Sequence, residues 1–365
     1  MVLTIILILI ALLIFVFQHP RYGKRPSGER LALIQKSPNY KNGKFENINF
    51  TPELAEGYGY MDVLYNFFFK KVDRKIPTDI IPSIKTNLHE IPLDQDILVW
   101  FGHSSYFIQL EGKRFLIDPV FSGNASPIYG TTKAFKGTDI YTAADIPEID
   151  YLLITHDHYD HLDYATIMEL KPKIKKIICA LGVGSHLEFW KFPKEIIIEK
   201  DWYETIELDQ NLTLYTTPSR HFSGRSTKRC NTLWTSFVLA TNDFKMYLGG
   251  DSGYDTHYAE IGAKYGPFDL ALIDNGQYNP AWKYIHNLPE DVIQAMKDIK
   301  ATRVFPVHSS KFALALHPWD EPLIRVTELN AISENPIPLV TPKIGELVEL
   351  KNENQEFQQW WKGVN

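Results

Sequence analysis

The sequence predicts an α/β fold in which two β-sheets pack face to face and helices cover their outer surfaces. Two observations support this prediction. Short β-rich runs are concentrated in residues 97–119, where Glu111-Gly112-Lys113 forms a hairpin turn between the last two runs. From residue 150 onward, apolar strands alternate with helical segments. Strands first and βα units afterwards are typical of a layered sandwich.

The elements after residue 95 follow one another with short connections. Strands are predicted at residues 97–102, 105–111, 114–119, 150–156, 175–181, 212–219, 233–240, 244–251, 270–276 and 303–309. Helices are predicted at residues 162–171, near 185–190, at 289–299 and near 321–332. One exception is the loop 122–142, which is rich in Gly, Ser, Thr and Pro. A loop of that length is expected to border a functional site.

The N-terminal segment predicts a membrane anchor. Residues 1–17 are apolar apart from Thr4, and a helix of that length spans about 26 Å, at the short end of a bilayer crossing. No Lys or Arg precedes the segment and no small-residue cleavage site follows it, whereas Arg21, Lys24 and Arg25 do follow. The positive-inside rule then places the rest of the chain in the cytoplasm. An atypical export signal is the alternative.

Four regions are expected along the chain. They are a transmembrane anchor (1–18), a linker with a helical extension (19–95), the main domain (96–345) and a C-terminal tail (346–365). Within the extension, Tyr60–Lys71 is predicted to be a short aromatic amphipathic helix. Its three phenylalanines, residues 67–69, are expected to dock onto the main domain. Contact of these phenylalanines with lipid is the alternative, because the predicted anchor lies upstream.

Composition argues against two classes of function. The net charge is −6, and the body of the chain has no run of more than two basic residues, so nucleic acid is not expected as the main substrate. The two cysteines, Cys179 and Cys230, lie far apart and outside any CxxC pattern. Neither a disulfide framework nor a thiolate metal site is expected, and both cysteines are predicted to be small buried hydrophobic residues.

A histidine-rich loop follows the strand at residues 150–156. It contains His156, His158, Asp160 and His161. Two imidazoles two residues apart can face one ion, and the Asp and His that follow can face a second ion. The chain has 12 histidines in 365 residues, so three within this loop are not expected by chance. Imidazole and carboxylate ligands suit Zn²⁺, Mn²⁺ or Fe²⁺.

Three later residues can complete a site for two ions, and each follows an apolar strand. They are His221, Asp251 and His308. Asp251 comes directly after two glycines, which permit close approach of the backbone. Taken singly, each residue is more readily explained as structural. Together with the histidine-rich loop, they form a full set of ligands.

This order of residues resembles the signature of the metallo-β-lactamase superfamily, over roughly residues 96–345. The resemblance implies an αββα sandwich with a dinuclear metal site at one sheet edge. The implied ligands are His156, His158 and His221 for the first metal, Asp160, His161 and His308 for the second, and Asp251 as the bridge. The fully occupied pattern argues against the diiron branch, in which a glutamate replaces the second histidine. It also argues against the β-lactamases that use a cysteine ligand.

Five shorter segments narrow the resemblance. Residues 97–127, 218–225, 250–254, 282–290 and 307–314 look like the corresponding stretches of the N-acyl-phosphatidylethanolamine-hydrolysing phospholipase D family, in the same order. The branch that contains ascorbate-6-phosphate lactonase shares the general layout and is the nearest alternative. The sequence before residue 95 does not align with the animal enzymes. The resemblance therefore does not identify the surface that would recognise a lipid.

The resemblance implies two Zn²⁺ ions, or Mn²⁺ or Fe²⁺, and a hydroxide between them that attacks phosphorus. Asp160 is expected to orient that group or accept its proton. His286 is expected to stabilise the phosphate or protonate the leaving oxygen, with a role in capping or packing a helix as the alternative. His103 and Asp118, which follow the first and third strands, are expected to orient ligand imidazoles. Local hydrogen bonds within turns are the alternative for both.

The predicted function is a metal-dependent hydrolase, a phosphodiesterase of the phospholipase D type. Its expected partners are a phospholipid or a small phosphorylated substrate, and a membrane reached through the N-terminal helix. The first alternative is a lactonase or another small-ester hydrolase. The second is a membrane-tethered binding protein without activity.

Overall fold

The computed structural model shows two mixed β-sheets with helices on their outer faces. It describes residue 4, residues 17–225 and residues 227–365, with the backbone alone at Phe68. The strands are β1 (Tyr40–Lys41), β2 (Lys44–Phe45), β3 (Ile97–Trp100), β4 (Tyr106–Leu110), β5 (Lys113–Ile117), β6 (Ile149–Ile154), β7 (Ile174–Ala180), β8 (Ile197–Lys200), β9 (Thr205–Asp209), β10 (Leu212–Thr217), β11 (Ser236–Ala240), β12 (Lys245–Leu248), β13 (Leu270–Asp274), β14 (Val304–Val307) and β15 (Leu347–Glu349).

The helices are short and lie mostly between strands. The α-helices are α1 (Gly28–Ile34), α2 (Tyr60–Phe69), α3 (Tyr164–Leu170), α4 (Gly184–Phe189), α5 (His257–Lys264), α6 (Pro289–Asp298) and α7 (Glu321–Ala331). Single 3₁₀ turns occur at Pro20–Tyr22, Leu88–Glu90, Ala143–Asp145, Lys171–Lys173, Lys194–Ile196 and Pro280–Trp282.

The two large sheets have related topologies. The first has seven strands in the order β15-β3-β4-β5-β6-β7-β8, and the second has six in the order β14-β13-β12-β11-β10-β9. Strands β5 to β8 are parallel in the first sheet, and β12 to β14 are parallel in the second. Because the carboxyl ends of parallel strands meet at one edge, each sheet presents a row of strand ends from which functional loops can emerge.

The core lies between the sheets, and alternation along the strands explains why. In β11, Phe237 and Leu239 belong to the apolar cluster between the sheets, whereas Val238 packs on the outer side with residues of α5 and α6. In β3, Leu98 faces the same inner cluster and Val99 belongs to the cluster beneath α3 and α4. Burial on both faces of each sheet confirms the predicted α/β sandwich.

Several elements differ from the prediction. Strands β8 and β9 and helix α5 lie in stretches for which no element is predicted. The region expected to be a C-terminal tail contains β15, which pairs with β3 at the edge of the first sheet. Trp360 and Trp361 are also buried in the core between the sheets. Large aromatic side chains lower their free energy by leaving water, so this segment packs as part of the domain.

The N-terminal extension also differs from a linker. Phe45 is buried against the first sheet, and α2 matches the predicted aromatic helix. The side chains of Phe67 and Phe69 are 46% and 70% exposed, which is more than a helix face docked onto the domain would leave. Cys179 is buried as expected, whereas Cys230 is half-buried, and both are free thiols.

The predicted anchor at residues 1–18 falls outside the described residues except at Thr4, Phe17 and Gln18. In the part of the chain that is described, no helix is both long enough and apolar enough to cross a bilayer. The anchor and the cytoplasmic location therefore stay predictions.

Candidate metal centre

The chemistry-bearing residues follow the carboxyl ends of strands in both sheets. Thr155 and His156 follow β6, and Asp118 follows β5. In the second sheet, Asp251 follows β12 and His308 follows β14. The two rows of strand ends therefore meet over one small region of the sandwich edge.

Gly250 permits that meeting. A Cβ atom at this position would lie 2.6 Å from the carbonyl oxygen of Thr235 and 3.1 Å from the Cβ of Thr155. A side chain here would push the end of β12 away from the first sheet. The glycine therefore lets Asp251 reach the histidines that follow β6.

The first cluster consists of His156, His158, His221 and Asp251, whose ligand atoms lie within 4.8 Å of one another. His158 Nδ1 lies 2.9 Å from His156 Nε2 and 3.2 Å from His221 Nε2. Asp251 Oδ2 lies 3.8 Å from His156 Nε2 and 3.7 Å from His221 Nε2. Three imidazole nitrogens and one carboxylate oxygen converging in this way match the ligand set expected for a first metal.

The second cluster consists of His103, Asp160, His161 and His308. Asp251 reaches it with its other oxygen, because Oδ1 lies 3.1 Å from His161 Nε2 and 3.0 Å from His308 Nδ1. The Asp251 carboxylate thus directs one oxygen to each cluster. This is the arrangement that a bridging ligand requires.

A buried ring nitrogen tests whether the site suits a cation. His161 Nε2 is buried and makes no hydrogen bond of acceptable geometry, although Asp251 Oδ1 lies 3.1 Å and Asp160 Oδ2 lies 3.5 Å from it. A buried polar atom without a partner costs about 1–3 kcal/mol, and a metal ion would satisfy it. The donor set is nitrogen and oxygen throughout, which suits Zn²⁺, Mn²⁺ or Fe²⁺. The residues present therefore fit the two ions.

Neighbouring groups fix the orientation of the ligands. His161 Nδ1 donates to Asp118 Oδ2 over 2.8 Å, and Asp118 also accepts from the backbone N and the hydroxyl of Thr155. His103 Nε2 donates to Asp160 Oδ2 over 2.9 Å. Asp118 thus contacts a ligand imidazole as expected, whereas His103 contacts a ligand carboxylate. When one ring nitrogen is held in this way, the other is directed at the metal.

Three of the residues at the site adopt a left-handed backbone conformation. His103, Asp118 and His308 have φ angles of 54°, 41° and 67°. Non-glycine residues in this left-handed region cost about 1–3 kcal/mol each and persist where surrounding structure enforces them. Such strain is typical of residues whose side chains are positioned for function.

Burial and charge set the protonation of the ligands. Burial lowers the pKa of His156, His221 and His308 well below its usual value, so these imidazoles are neutral. Burial acts to raise the pKa of Asp160 and Asp251, but the neighbouring imidazoles, His161 first, hold it well below the usual range.

His161 differs from the other ligand histidines. Burial acts to lower its pKa, but Asp251 and Asp160 raise it well above the usual value. The two carboxylates therefore favour a positive charge between them. A divalent cation would supply that charge and leave His161 neutral as a ligand.

His286 lies beside the two clusters. Its ring stacks on His308 at 5.0 Å and meets the ring of His221 at 5.0 Å. Its Nδ1 donates to Asp274 Oδ2 over 2.9 Å. Burial acts to lower the pKa of His286, but the Asp274 carboxylate raises it above the usual value. His286 is therefore held as a potential proton donor with Nε2 available to a substrate.

A cavity of about 990 Å³ opens above the clusters. Among the residues that line it are His158, Asp160, His221, Asp251, His286 and His308. Its walls are formed largely by residues 41–54 and by α2, with apolar contributions from Phe222, Trp282 and Ile285. Loop 122–142, which is expected to border the site, supplies none of the lining residues in the described part of the chain. The N-terminal extension forms the wall instead.

Three groups that contact the site are absent from the sequence-based prediction. They are Asp274, which holds His286, Ser104, whose Oγ lies 2.9 Å from His308 Nδ1, and the Ile285 carbonyl, which accepts from His221 Nδ1 over 2.9 Å. Asp274 could have been found, because it ends an apolar strand as Asp118 does. A serine and a backbone carbonyl leave no such signal in the sequence.

Sequence comparison finds a matching domain family and similar proteins. Residues 113–309 match the Beta-lactamase superfamily domain. The chain is 34% identical over 337 residues to an uncharacterized protein of Mycobacterium tuberculosis, covering 91% of this chain and 89% of that protein. It is 30% identical over 343 residues to the N-acyl-phosphatidylethanolamine-hydrolyzing phospholipase D 1 of Caenorhabditis elegans, covering 85% of this chain and 93% of that protein.

Solved structures share the fold. Igni18, a metallo hydrolase from the archaeon Ignicoccus hospitalis, is similar with a TM-score of 0.52 and 21% sequence identity, over 70% of this chain and 97% of that chain. A likeness at this level of identity extends to the fold alone.

Proposed function

The chain belongs to the metallo-β-lactamase superfamily of metal-dependent hydrolases, and from that premise we propose that it is a dinuclear phosphodiesterase of the phospholipase D type. The proposed substrates are lipids that resemble N-acyl-phosphatidylethanolamine. The observation that carries the proposal is the cavity, which is lined both by the ligand clusters and by apolar side chains. Similarity to the Caenorhabditis elegans enzyme along most of both chains supports the same substrate class.

The cavity is suited to an amphiphile because its lining combines polar and apolar groups. It includes the ligand clusters and His286 together with apolar side chains such as Phe50, Leu54 and Leu64. A volume of about 990 Å³ lies at the upper end of the range for small-molecule sites, about 300–1,000 Å³. It can hold a phosphodiester headgroup and part of an acyl chain. A small sugar lactone would leave most of the apolar wall without contact.

The outer surface beside the cavity also suits a lipid. Phe50 and Leu64, which line the cavity, are 88% and 50% exposed, and we refer to them as the apolar lip. Exposed apolar side chains grouped at a cavity mouth are typical of an interaction surface. Lys41, Lys44 and Lys228 line the same cavity and form no ion pair among the described residues. Their charge is complementary to anionic phosphodiesters.

The reaction adds water across the bond between phosphorus and the ethanolamine oxygen. When bound, two divalent cations supply Lewis acidity toward the phosphoryl oxygens and lower the pKa of a water molecule. Asp160 lines the cavity and is proposed to accept the proton that this water loses. His286 is proposed to protonate the ethanolamine oxygen through Nε2, because Asp274 occupies Nδ1. The products are a phosphatidic acid and an N-acylethanolamine.

Vesicles containing N-acyl-phosphatidylethanolamine test the proposal. The purified chain is first loaded with Zn²⁺ or Mn²⁺, and its metal content is measured. We expect metal-dependent release of phosphatidic acid and N-acylethanolamine, with little release from vesicles of phosphatidylcholine alone. Protein with two bound ions and no turnover of the lipid would contradict the proposal.

The same assay separates the alternatives. Hydrolysis of sugar-phosphate lactones without lipid turnover would favour a lactonase. Metal content near zero after purification from zinc-supplemented medium would favour a binding protein. The convergence of all seven predicted ligands at one edge of the sandwich argues against the second alternative.

A further inference from the structure

A segment of the N-terminal extension crosses the mouth of the metal centre. Residues 45–55, which we call the strap, begin at buried Phe45, whose backbone N donates to the Cys230 carbonyl over 2.9 Å. The strap ends at Ala55, whose N donates to the Ala281 carbonyl over 2.7 Å. Between these points it contains no regular secondary structure. Within it, the Glu46 N donates to the Asn39 carbonyl over 3.0 Å, and the other contacts that hold it involve side chains.

The central contact is made by Asn47 to the backbone of a ligand residue. Asn47 Nδ2 donates to the His221 carbonyl over 2.8 Å, and the His221 N donates to Asn47 Oδ1 over 3.1 Å. Trp234 Nε1 donates to the same Oδ1 over 2.9 Å. A side-chain amide that satisfies both polar groups of one residue fixes that residue in the way a neighbouring strand would.

His221 needs such support because of where it lies. It belongs to the connection 218–235 between β10 and β11, whose described residues form no regular secondary structure. Its imidazole Nδ1 donates to the Ile285 carbonyl, leaving Nε2 for the first cluster. The hydrogen bond to Ile285 fixes the ring, and Asn47 fixes the backbone. Together they leave His221 little freedom.

The adjacent residue strengthens the same connection. Arg220 Nε donates to Thr51 Oγ1 over 2.9 Å, and one of its terminal nitrogens donates to the Phe50 carbonyl over 3.0 Å. The strap thus contacts both Arg220 and His221. In the described part of the chain, no hydrogen bond joins it to His103, Asp160, His161 or His308. The two clusters therefore differ in their dependence on the extension.

We propose that Asn47 is a positioning residue for the first metal, and that the strap couples the substrate-facing wall to the affinity of that one ion. The inference rests on the proposed two-metal centre but not on the identity of the substrate. Phe50, a strap residue, lines the cavity, so a substrate that moves the strap would also shift His221. The second metal would be held by the strand-end loops alone.

The test compares Asn47→Ala with Asn49→Ala in the full chain. Asn49 lies on the same strap but donates to Asp255 instead of to a ligand residue. The zinc-loaded proteins are exposed to increasing concentrations of a chelator. The number of Zn²⁺ ions that remain bound per chain is then measured. We expect Asn47→Ala to bind one of its two ions about 10- to 100-fold more weakly, and so to release that ion at a lower chelator concentration. This is the range found when groups that orient ligands are removed. Asn49→Ala should retain both ions as the original chain does.

A second variant guards against loss of folding. Asn47→Asp keeps the acceptor for the His221 N and Trp234 Nε1 but loses the donor to the His221 carbonyl. We expect it to retain the ion better than Asn47→Ala, at an unchanged urea midpoint. Visible absorption of the cobalt-loaded protein should change in Asn47→Ala, because it reports ligand geometry.

The outcomes separate this inference from the proposed function. If Asn47→Ala binds two ions with unchanged affinity and an unchanged cobalt spectrum, the inference is wrong even if lipid turnover is found. If the original chain itself binds no metal, the proposed function fails first. Equal weakening in Asn47→Ala and Asn49→Ala would also overturn the inference, because it would show a general effect of the strap on folding.

Discussion

The metal-ligand edge and the wall of the cavity are built in opposite ways. The ligands follow strand ends in two sheets, and Thr155, Asp118 and Asp251 are buried there. The wall comes from residues 41–54 and α2, where Phe50 and Met61 are largely exposed. The ligand edge thus takes its rigidity from the sandwich, while the wall depends on contacts made by one irregular segment.

From this difference we infer that the ligand edge carries out the catalytic chemistry and that the wall selects the substrate. Rigid sheet edges hold charged ligands against their mutual repulsion and against burial, which a flexible loop would not do. An irregular wall can change in sequence without disturbing the strands beneath it. We therefore expect substitutions at the edge to affect metal binding and turnover, and substitutions in the wall to affect the choice of substrate.

The largest expected effect is at Asp251. Asp251→Asn removes the charge that both clusters share, and we expect turnover to fall by roughly 10³-fold or more together with loss of bound metal. Turnover and metal content per chain are the measurements. Asp209→Asn, on exposed strand β9, is the matched control and should be unchanged. Full activity in Asp251→Asn would rule out its role as the bridge.

His286 should have the next largest effect, and of a different kind. His286→Gln removes the proposed proton donor without removing a ligand, so kcat should fall by about 10²- to 10⁴-fold while both ions stay bound. His89→Gln, at an exposed histidine far from the cavity, is the control. If the variant lost metal in proportion to activity, His286 would be a ligand instead.

Asp118 tests the ligand edge through its hydrogen bond to His161, because Asp118 is not itself an expected metal ligand. Asp118→Asn removes the negative charge. If its amide oxygen accepts from His161 Nδ1 and the Thr155 hydroxyl, which share Oδ2, its NH2 group replaces the oxygen that accepts from the Thr155 backbone N. We expect affinity for one ion to fall about 10- to 100-fold, with the second cluster affected. Metal retention against a chelator measures this. An effect confined to the first cluster would contradict the observed contact of Asp118 with His161, which belongs to the second cluster.

The same contrast explains what the sequence could predict. Ligands such as Asp251 follow apolar strands, and hydrophobic alternation makes strands visible in a sequence. Asp274 follows the same rule and could have been included. The contacts of Ser104 and Asn47 could not have been predicted, because they join residues distant in sequence through polar groups that occur everywhere in loops.

The fold shows the same limits. Strands with alternating or continuous apolar residues, such as β11 and β13, are found at or within a few residues of their predicted places. Strand β9 alternates between exposed and half-buried positions at a sheet edge, where the apolar signal is weak. Strand β15 is short and is stabilised by pairing with β3, a long-range contact that local patterns cannot reveal. The exposure of Phe67 and Phe69 likewise depends on where α2 lies, which the sequence of the helix does not determine.

The smallest predicted effect concerns the wall. Leu64→Asp places a charge on the apolar lip, which is expected to meet the acyl chains of the substrate. We expect KM for N-acyl-phosphatidylethanolamine in vesicles to rise roughly tenfold, as loss of about 1.5 kcal/mol of apolar burial would give. A short soluble phosphodiester such as bis(p-nitrophenyl) phosphate should be hydrolysed at an unchanged rate, because its contacts are at the metal centre.

Leu33→Asp is the matched control for the wall. Leu33 is an exposed leucine on α1 in the same extension, and it does not line the cavity. If both variants raised KM equally, the effect would come from the added charge near a membrane and not from the cavity mouth. If Leu64→Asp slowed the soluble diester as much as the lipid, the wall would act on the chemistry itself. The separation between a ligand edge that catalyses and a wall that selects would then fail.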